Sequence, residues 1–223
     1  MQGAAIDEVR QWLGIPFAAP PVGPLRFLPP AEAAPWATPR TANAASGECP
    51  QLNFGVTPTL VAGATEDCLY LNVWAPRAAV TNAPVLVWIY GGGFTIGSGG
   101  DRMYDGEALA AKTGAIVVTF NYRLGALGWL SHPELAAEEG VATSPSQGLL
   151  DQQMALRWVQ KNIAAFGGNP NDVTLAGESA GGISVCSHLA APGSCGLFQH
   201  AVIESGVCLS TAVFATPAAA NDQ

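Results

Sequence analysis

The chain has 223 residues, of which 49% are hydrophobic and only 12% are charged, a composition typical of one large or two small globular domains with a buried core. Its formal net charge of −8, with nine basic residues that form no cluster, favours solubility and argues against a nucleic-acid partner. No apolar segment is long enough to span a membrane, and the first eight residues lack the basic and apolar regions of a signal peptide.

Prolines dominate the start of the chain, with eight of them between residues 1 and 40. Because proline fixes φ and lacks a backbone donor, we predict an irregular surface segment there, without helix or central strand. A polar loop around the first cysteine is expected over residues 41–65. The first predicted strand then covers residues 69–74.

A glycine triplet follows the second predicted strand, which is an apolar, β-branched run over residues 85–90. Gly91, Gly92 and Gly93 would let backbone N–H groups face a ligand with no side chains in the way. Such triplets also serve as flexible connections, so the triplet alone leaves both interpretations open.

Three more elements are predicted before the next glycine-rich turn: a short helix over residues 105–112, a strand over 115–120 and a long helix over 147–166. Four apolar residues of the long helix recur at helical spacing and would form its buried face: Ala155, Val159, Ile163 and Phe166. Two glycines directly after residue 166 are expected to end this helix.

The turn at 177–181 reads Gly-Glu-Ser-Ala-Gly and joins the apolar run 172–176 to a helix predicted to end near residue 191. In this context the pattern predicts a nucleophile elbow, because a serine at a strained turn leaves no room for Cβ atoms two residues away. The same pentapeptide also occurs by chance in glycine-rich loops. A last strand is predicted over residues 200–205.

Alternating apolar strands and amphipathic helices predict an α/β fold with a mostly parallel sheet and helices on both faces. The strands near 85–90, 115–120, 173–177 and 200–205 would be parallel neighbours. The sequence contains no repeat and no linker, so the chain is one domain or part of one. The glycine triplet and the serine turn, both at strand ends, then predict the two halves of an oxyanion hole.

Six further motifs are spread along the chain: GIPFA at 14–18, PPVGPLRF at 20–27, EDCLYLNV at 66–73, NYRLG at 121–125, GLLDQ at 148–152 and GGNP at 167–170. With these motifs the chain closely resembles the type B carboxylesterases, the cholinesterase-like branch of the α/β-hydrolases, over nearly its whole length. The resemblance implies an α/β-hydrolase fold in which residues 1–223 are the N-terminal part of a single domain, with the sheet incomplete at its C-terminal side.

The resemblance also implies a site. Ser179 would be the nucleophile and would be acylated by a small carboxylic ester, without a cofactor. Three backbone N–H groups would hold the oxyanion: those of Gly92, Gly93 and Ala180. Phe94 would line the acyl pocket. The side chain of Glu178 should point away from the serine, so a supporting role near the base fits it better than the role of catalytic acid.

Five cysteines are present, and the resemblance implies a disulfide between Cys49 and Cys68. A loop of this size would stabilise the fold by roughly 3 kcal/mol. Two reduced thiols in a cytosolic protein are the alternative, whereas the bridge favours a secreted or periplasmic location. Cys186, Cys195 and Cys208 are expected to be small buried or loop residues, and no spacing suits a metal site.

A serine nucleophile needs a histidine base and an acid, which in this fold follow the serine. Only 44 residues follow Ser179. His188 lies roughly 13 Å further along the helix, His200 begins a strand at its wrong end, and His132 precedes the serine. We therefore expect an N-terminal fragment whose base and acid lie downstream and whose opening β-hairpin is barely represented.

Two further expectations come from the resemblance. Arg26 with Glu66, and Arg123 with Asp151, would form buried structural ion pairs rather than substrate anchors. The loop 49–68 contains no tryptophan, so the aromatic cradle that cholinesterases use for a quaternary ammonium is absent, which argues against a choline ester.

The leading hypothesis is therefore a serine carboxylic-ester hydrolase that works through an acyl-enzyme, with this chain supplying the nucleophile and the oxyanion hole. One alternative is a non-catalytic cholinesterase-like adhesion or binding module, although such modules usually lose the nucleophile. Another is a truncated product with no activity of its own.

Overall fold

The computed structural model describes residues 1–53, 57–140 and 146–209. Its strands are β1 (Ala4–Ile6), β2 (Val9–Pro16), β3 (Tyr70–Pro76), β4 (Ala83–Ile89), β5 (Ile116–Phe120), β6 (Gly168–Glu178) and β7 (His200–Glu204). Its α-helices are α1 (Glu107–Thr113), α2 (Gly125–Trp129), α3 (Pro133–Glu139), α4 (Gln147–Asn162) and α5 (Ala180–Ala190). No helix among these residues is both long and apolar enough to cross a bilayer.

Within the described ranges the strands form one seven-stranded sheet in the order β1-β2-β3-β5-β4-β6-β7. β4 pairs in parallel with β5 and β6, and β6 pairs in parallel with β7. β3 is antiparallel to β2 and β5, and β1 is antiparallel to β2. Five of the seven strands therefore run in one direction, which confirms the predicted mostly parallel sheet and its four parallel neighbours.

Helices cover both faces of the sheet, and the alternation of side chains along the strands shows how. Val85, Val87 and Ile89 of β4 belong to one core cluster together with Leu156 and Val159 of α4. A second, smaller cluster packs Val9, Trp74 and Val117 against Ala110 of α1. Trp74 and Val117 alternate along β3 and β5 with Val73 and Val118, which belong to the first cluster. Because neighbouring residues of a strand point to opposite faces, α4 and α1 lie on opposite sides of the sheet.

The hairpin of β1 and β2 corrects the prediction that the first forty residues are irregular. β2 lies inside the sheet, between β1 and β3, and its Val9 and Ile15 are fully buried. The first proline of the chain is Pro16, at the end of this strand, so the ladder of β2 keeps its donors. The opening hairpin that we expected to be barely represented is thus present.

Both predicted ion pairs form, but only one of them is buried. Arg123 and Asp151 expose 2% and 0% of their side chains, and their Nη2 and Oδ1 atoms are 2.7 Å apart. Burial raises the pKa of Asp151, while the hydrogen bonds from Arg123 act in the opposite direction. Arg26 and Glu66 are 43% and 28% exposed, so the prediction of a buried pair was wrong for them.

Candidate active site

Ser179 occupies a sharp turn between the end of β6 and the start of α5. Its φ of 54° and ψ of −119° lie in a region that residues with a Cβ rarely adopt. A Cβ added to Gly177 would lie 2.5 Å from the carbonyl carbon of Gly181, and one added to Gly181 would collide with the carbonyl oxygen of Ile89. Glycine is therefore required at both positions, because any side chain there would collide with the backbone. The strand, turn and helix around Ser179 are those that the sequence predicts.

The chain after β7 lies directly behind this turn. The Ser179 N–H donates to the Glu204 carbonyl oxygen at 2.9 Å, and the Ile183 N–H donates to the Ser179 carbonyl oxygen at 2.9 Å. A Cβ on Gly206 would lie 2.7 Å from the carbonyl carbon of Gly182. This support cannot be predicted from the sequence, since contacts between backbones leave no recognisable side-chain pattern.

The glycine triplet lies at the same end of the parallel strands as the serine, where β4 and β6 finish. Ile89, the last residue of β4, is the register partner of Gly177. A Cβ on Gly91 would lie 3.1 Å from the Cβ of Ser179 and 2.8 Å from Oε2 of Glu178. The Glu178 side chain therefore reaches the first glycine of the triplet, and only a residue without a side chain fits between the two strand ends.

Three backbone donors near the serine are unpaired. Among the described residues, no backbone or side-chain acceptor receives a hydrogen bond from the N–H groups of Gly92, Gly93 or Ala180. The Gly92 carbonyl, by contrast, accepts from the N–H groups of Thr95 and Ile96 at 3.1 and 3.2 Å, which fixes the turn. Free N–H groups held in this way at a helix start and a glycine turn are suited to bind a negatively charged oxygen.

The segment that carries these donors is anchored at several points. Gln51 exchanges two hydrogen bonds with the backbone of Gly97, at 2.8 and 2.9 Å. The Gly125 N–H donates to the Phe94 carbonyl oxygen at 2.8 Å, and the Phe94 ring packs on Trp129 with centroids 4.3 Å apart. Phe94 is half-buried beside the glycine triplet, and its role in an acyl pocket stays a prediction.

The disulfide implied between Cys49 and Cys68 is present. The two Cα atoms are 5.1 Å apart, and both residues are fully buried. Part of the loop that this bridge closes, residues 54–56, lies outside the described residues. Gln51 lies two residues after Cys49, inside the loop that this disulfide closes. The disulfide therefore restrains the residue whose side chain binds the backbone of Gly97, after the glycine triplet.

A second disulfide joins Cys186 and Cys208. Cys186 is buried and Cys208 lies in the loop after β7, as expected, but the bond between them was not predicted from the sequence. Its Cα atoms are also 5.1 Å apart. The pairing arises because β7 returns the chain alongside α5, next to the contact of Gly206 with Gly182. Cys195 is a free, exposed thiol. No group of three or more potential metal ligands occurs in the described part of the chain.

None of the three histidines lies beside Ser179. His188 is buried, with Nε2 2.9 Å from Oε1 of Gln152 and Nδ1 2.8 Å from Oγ of Ser194, and burial lowers its pKa to about 4. Both ring nitrogens are therefore engaged away from the serine, as expected from the sequence.

The other two histidines lie outside the serine turn as well. His200 begins β7 opposite Thr174, whereas the serine end of the strand pair is marked by Glu178 and Glu204. His132 accepts the Glu134 N–H at 3.2 Å, at the start of α3. A histidine base for Ser179 is thus missing from the described residues.

Comparison with known proteins identifies the family of the chain. The model of the Carboxylesterase family matches residues 1–222. The chain belongs to the carboxylesterase family. Para-nitrobenzyl esterase of Bacillus subtilis (strain 168) is 46% identical over 208 residues, which are 92% of this chain and 42% of that protein. Cocaine esterase of Oryctolagus cuniculus is 49% identical over 212 residues, which are 90% of this chain and 38% of that protein.

Other relatives and a solved structure extend the comparison. Acetylcholinesterase of Gallus gallus is 48% identical over 214 residues, which are 92% of this chain and 27% of that protein. A structure titled PNB esterase superposes with a TM-score of 0.82 at 48% identity, covering 92% of this chain and 42% of its own. The fold is that of the α/β-hydrolases. The chain spans less than half the length of these relatives.

Proposed function

We propose that this chain carries the nucleophile and the oxyanion hole of a serine carboxylesterase. The observation that carries the proposal is the position of Ser179, on a strained turn at the same sheet edge as three unpaired backbone donors. The named esterases among its relatives support carboxylic esters as the substrate class.

In the proposed reaction, Oγ of Ser179 attacks the carbonyl carbon of the ester while its proton passes to a base. The carbonyl oxygen becomes negatively charged and accepts hydrogen bonds from the backbone N–H groups of Gly92, Gly93 and Ala180. Each such donor typically lowers the barrier by about 3 kcal/mol, because it is already oriented before the charge develops. Departure of the alcohol leaves an acyl-enzyme, which water then hydrolyses.

The histidine base of this proposed site lies outside the 223 residues. The chain has three histidines, and each is held elsewhere: His188 by Gln152 and Ser194, His200 near Asp172, and His132 at a helix start. Residues 1–223 then form the N-terminal part of a single domain. Ser179 alone, without a base, is a weak nucleophile beside an assembled oxyanion hole.

The proposed substrate is a small ester without a quaternary ammonium group. The loop between Cys49 and Cys68 contains no tryptophan, the aromatic residue that binds a cation best. Phe94, beside the glycine triplet, is the proposed contact for the acyl group. A non-catalytic adhesion module is the weaker proposal, because Ser179 and the glycines on both sides of it are all retained.

Covalent labelling tests the nucleophile without requiring turnover. The purified chain is incubated with a fluorophosphonate, and the adduct is located by mass spectrometry of peptides. We expect slow labelling at Ser179 that disappears in Ser179→Ala and persists in Ser187→Ala, the matched control on the same helix. Labelling that is unchanged in Ser179→Ala would refute the assignment.

Steady-state hydrolysis of p-nitrophenyl butyrate tests the missing base. We expect the 223-residue chain to hydrolyse this ester weakly or not at all, because a serine without its base keeps only the residual acceleration that the oxyanion hole and binding supply. Rapid turnover that is lost in Ser179→Ala and also in His188→Ala or His200→Ala would place a base within these residues and overturn this part of the proposal.

A further inference from the structure

We infer that the disulfide between Cys186 and Cys208 is a redox-sensitive brace that holds the serine turn in place, and that an external dithiol releases it. The brace is defined by these two residues and the chain between them. Only its effect on the reactivity of Ser179 rests on the proposed function. Its effect on the geometry of the turn follows from contacts that do not depend on any activity.

The bridge connects the two segments that meet at the serine. Cys186 lies in the second turn of α5, the helix that begins directly after Ser179. Cys208 lies four residues beyond the end of β7. The two cysteines are 22 positions apart in sequence, and the loop that they close contains the whole of β7.

The segment that the brace fixes is the one behind the serine turn. Glu204, the last residue of β7, accepts the Ser179 N–H, and Gly206 packs against Gly182 in the first turn of α5. Residues 204–206 are thus the floor of the turn. If this floor moves, the serine loses its only backbone acceptor among the described residues, and its strained φ loses support.

Apart from the pairing of β7 with β6 and its contact with α5, this floor is open to solvent at Glu204 and Ser205. All five residues of β7 are exposed, and in the described part of the chain β7 pairs with β6 on one side only. Ser205 adopts a φ of 50°, which is unfavourable for a residue with a Cβ, and Val207 is exposed as well. A covalent link from Cys208 to the buried Cys186 therefore supplies a restraint that noncovalent packing does not.

The two disulfides differ in access to solvent. Cys208 is exposed, whereas Cys49 and Cys68 are completely buried. A dithiol can attack Sγ of Cys208 as its thiolate, which breaks the S–S bond and releases Cys186 as a thiolate that takes up a proton. The second thiol of the reagent then displaces Cys208. Two electrons and two protons pass to the protein, and the reagent leaves as a cyclic disulfide.

The first test is selective reduction of the native protein. The free Cys195 is blocked with iodoacetamide, dithiothreitol is added stepwise, and new thiols are trapped with N-ethylmaleimide and mapped by mass spectrometry. We expect Cys186 and Cys208 to be trapped at least about tenfold faster than Cys49 and Cys68, since exposed disulfides are the labile ones. Equal rates for the two bridges would overturn the inference.

The second test measures the turn itself. Hydrogen exchange is followed in peptides that cover residues 179–184, before reduction, after selective reduction and after reoxidation. We expect exchange to accelerate about tenfold on reduction and to recover on reoxidation, because residues 204–206 no longer protect the amides of the turn once the disulfide is open. A Cys186→Ala/Cys208→Ala variant should match the reduced protein and Cys195→Ser the oxidised one. If the double variant fails to fold, reduction of the native chain still decides.

Fluorophosphonate labelling of both redox states separates this inference from the proposed function. If exchange responds to reduction but Ser179 is never labelled, the brace stands and the proposed nucleophile fails. If Ser179 is labelled equally fast in both states and exchange does not change, the nucleophile stands and the brace fails. Slower labelling together with faster exchange in the reduced protein is the expected result.

Discussion

Two ion pairs of this chain, a member of the carboxylesterase family, join an arginine to a carboxylate, one in the interior and one at the surface. Arg123 donates to both carboxylate oxygens of Asp151, and its remaining Nη1 donates to the carbonyl oxygens of Arg26 and Leu28 at 2.9 Å. Every polar atom of this buried pair thus has a nearby partner, and the guanidinium links the proline-rich start of the chain to α4. The pair of Arg26 with Glu66 lies at the surface, where water screens it.

Asp151→Asn should therefore destabilise the protein strongly. The variant leaves the Arg123 charge buried without its counter-ion, and breaking a buried pair in this way typically costs about 3–5 kcal/mol. Urea denaturation followed by circular dichroism measures the change. Glu66→Gln is the control and should shift the midpoint much less. Equal shifts in the two variants would show that burial of the pair is not what matters.

At the scale of single residues, the sequence predicts what is encoded by residue type at fixed spacing. Gly177 and Gly181 could be identified because a serine elbow excludes side chains at those positions. The contact of the Glu204 carbonyl with Ser179 could not, since any residue supplies a carbonyl. The pairing of Cys186 with Cys208 depends on where β7 returns, which the spacing of cysteines alone does not contain.

At the scale of elements, α4 and α5 are joined by a chain of buried polar side chains. Gln152 donates through Nε2 to Oγ of Ser184 at 3.1 Å and faces His188 through Oε1. Gln153 donates to Oγ of Ser194 at 3.1 Å, and Ser194 contacts the other ring nitrogen of His188. These hydrogen bonds are mutually compatible when His188 is neutral and carries its proton on Nε2.

Hydrophobic spacing predicted only part of this packing. Ala155, Val159 and Ile163 are buried, as their helical spacing indicates. Gln152 and Gln153 are buried too, because α4 packs against the sheet on one side and contacts the region of α5 on another. A polar residue in a helix is predicted to be exposed unless its partners on other elements are known. The hydrogen bonds of Gln152 and Gln153 could therefore not be predicted from the sequence.

The stability of the fold should fall as pH is lowered from about 6.5 to about 4. The folded pKa of His188 is about 4, against 6.5 in the unfolded chain, because burial disfavours the charged ring. Between these values the unfolded chain binds a proton that the folded chain does not. Protonation therefore favours unfolding, and the total loss is about 3 kcal/mol, reached near pH 4 and constant below it.

Urea denaturation at pH 7.0, 5.5 and 4.5 measures this slope. His188→Gln should reduce the loss of stability on acidification, although it also lowers stability at pH 7.0 by disturbing the hydrogen bonds with Gln152 and Ser194. His200→Gln, at an exposed histidine, serves as the matched control and should keep the slope of the parent. A slope that is the same in all three proteins would assign the pH dependence to other groups.

At the scale of the whole molecule, the α/β-hydrolase fold could be predicted because alternating strands and helices, and the motifs between them, agree with one another. The hairpin at residues 4–16 could not, because the prolines that follow it suggested an irregular segment and β2 becomes an inner strand only through its pairing with β1 and β3. The parallel strands place Ser179 and the glycine triplet together at the carboxyl ends of β6 and β4. The same arrangement leaves β7 at the side of the sheet, exposed along its whole length.

This exposed strand should make the 223-residue chain self-associate. In the described part of the chain, β7 has unpaired backbone groups on one side, and Val202 and Ile203 are 40% and 37% exposed, a combination that favours strand pairing between molecules. Ile203→Lys should lower the weight-average mass measured by sedimentation or static light scattering. Pairing of two β7 strands would bring the lysine charges of the two molecules into the contact and so oppose association. Leu109→Lys, on the exposed face of α1, adds the same charge elsewhere and should change the mass much less. If both variants reduce association equally, net charge rather than the edge of β7 controls it.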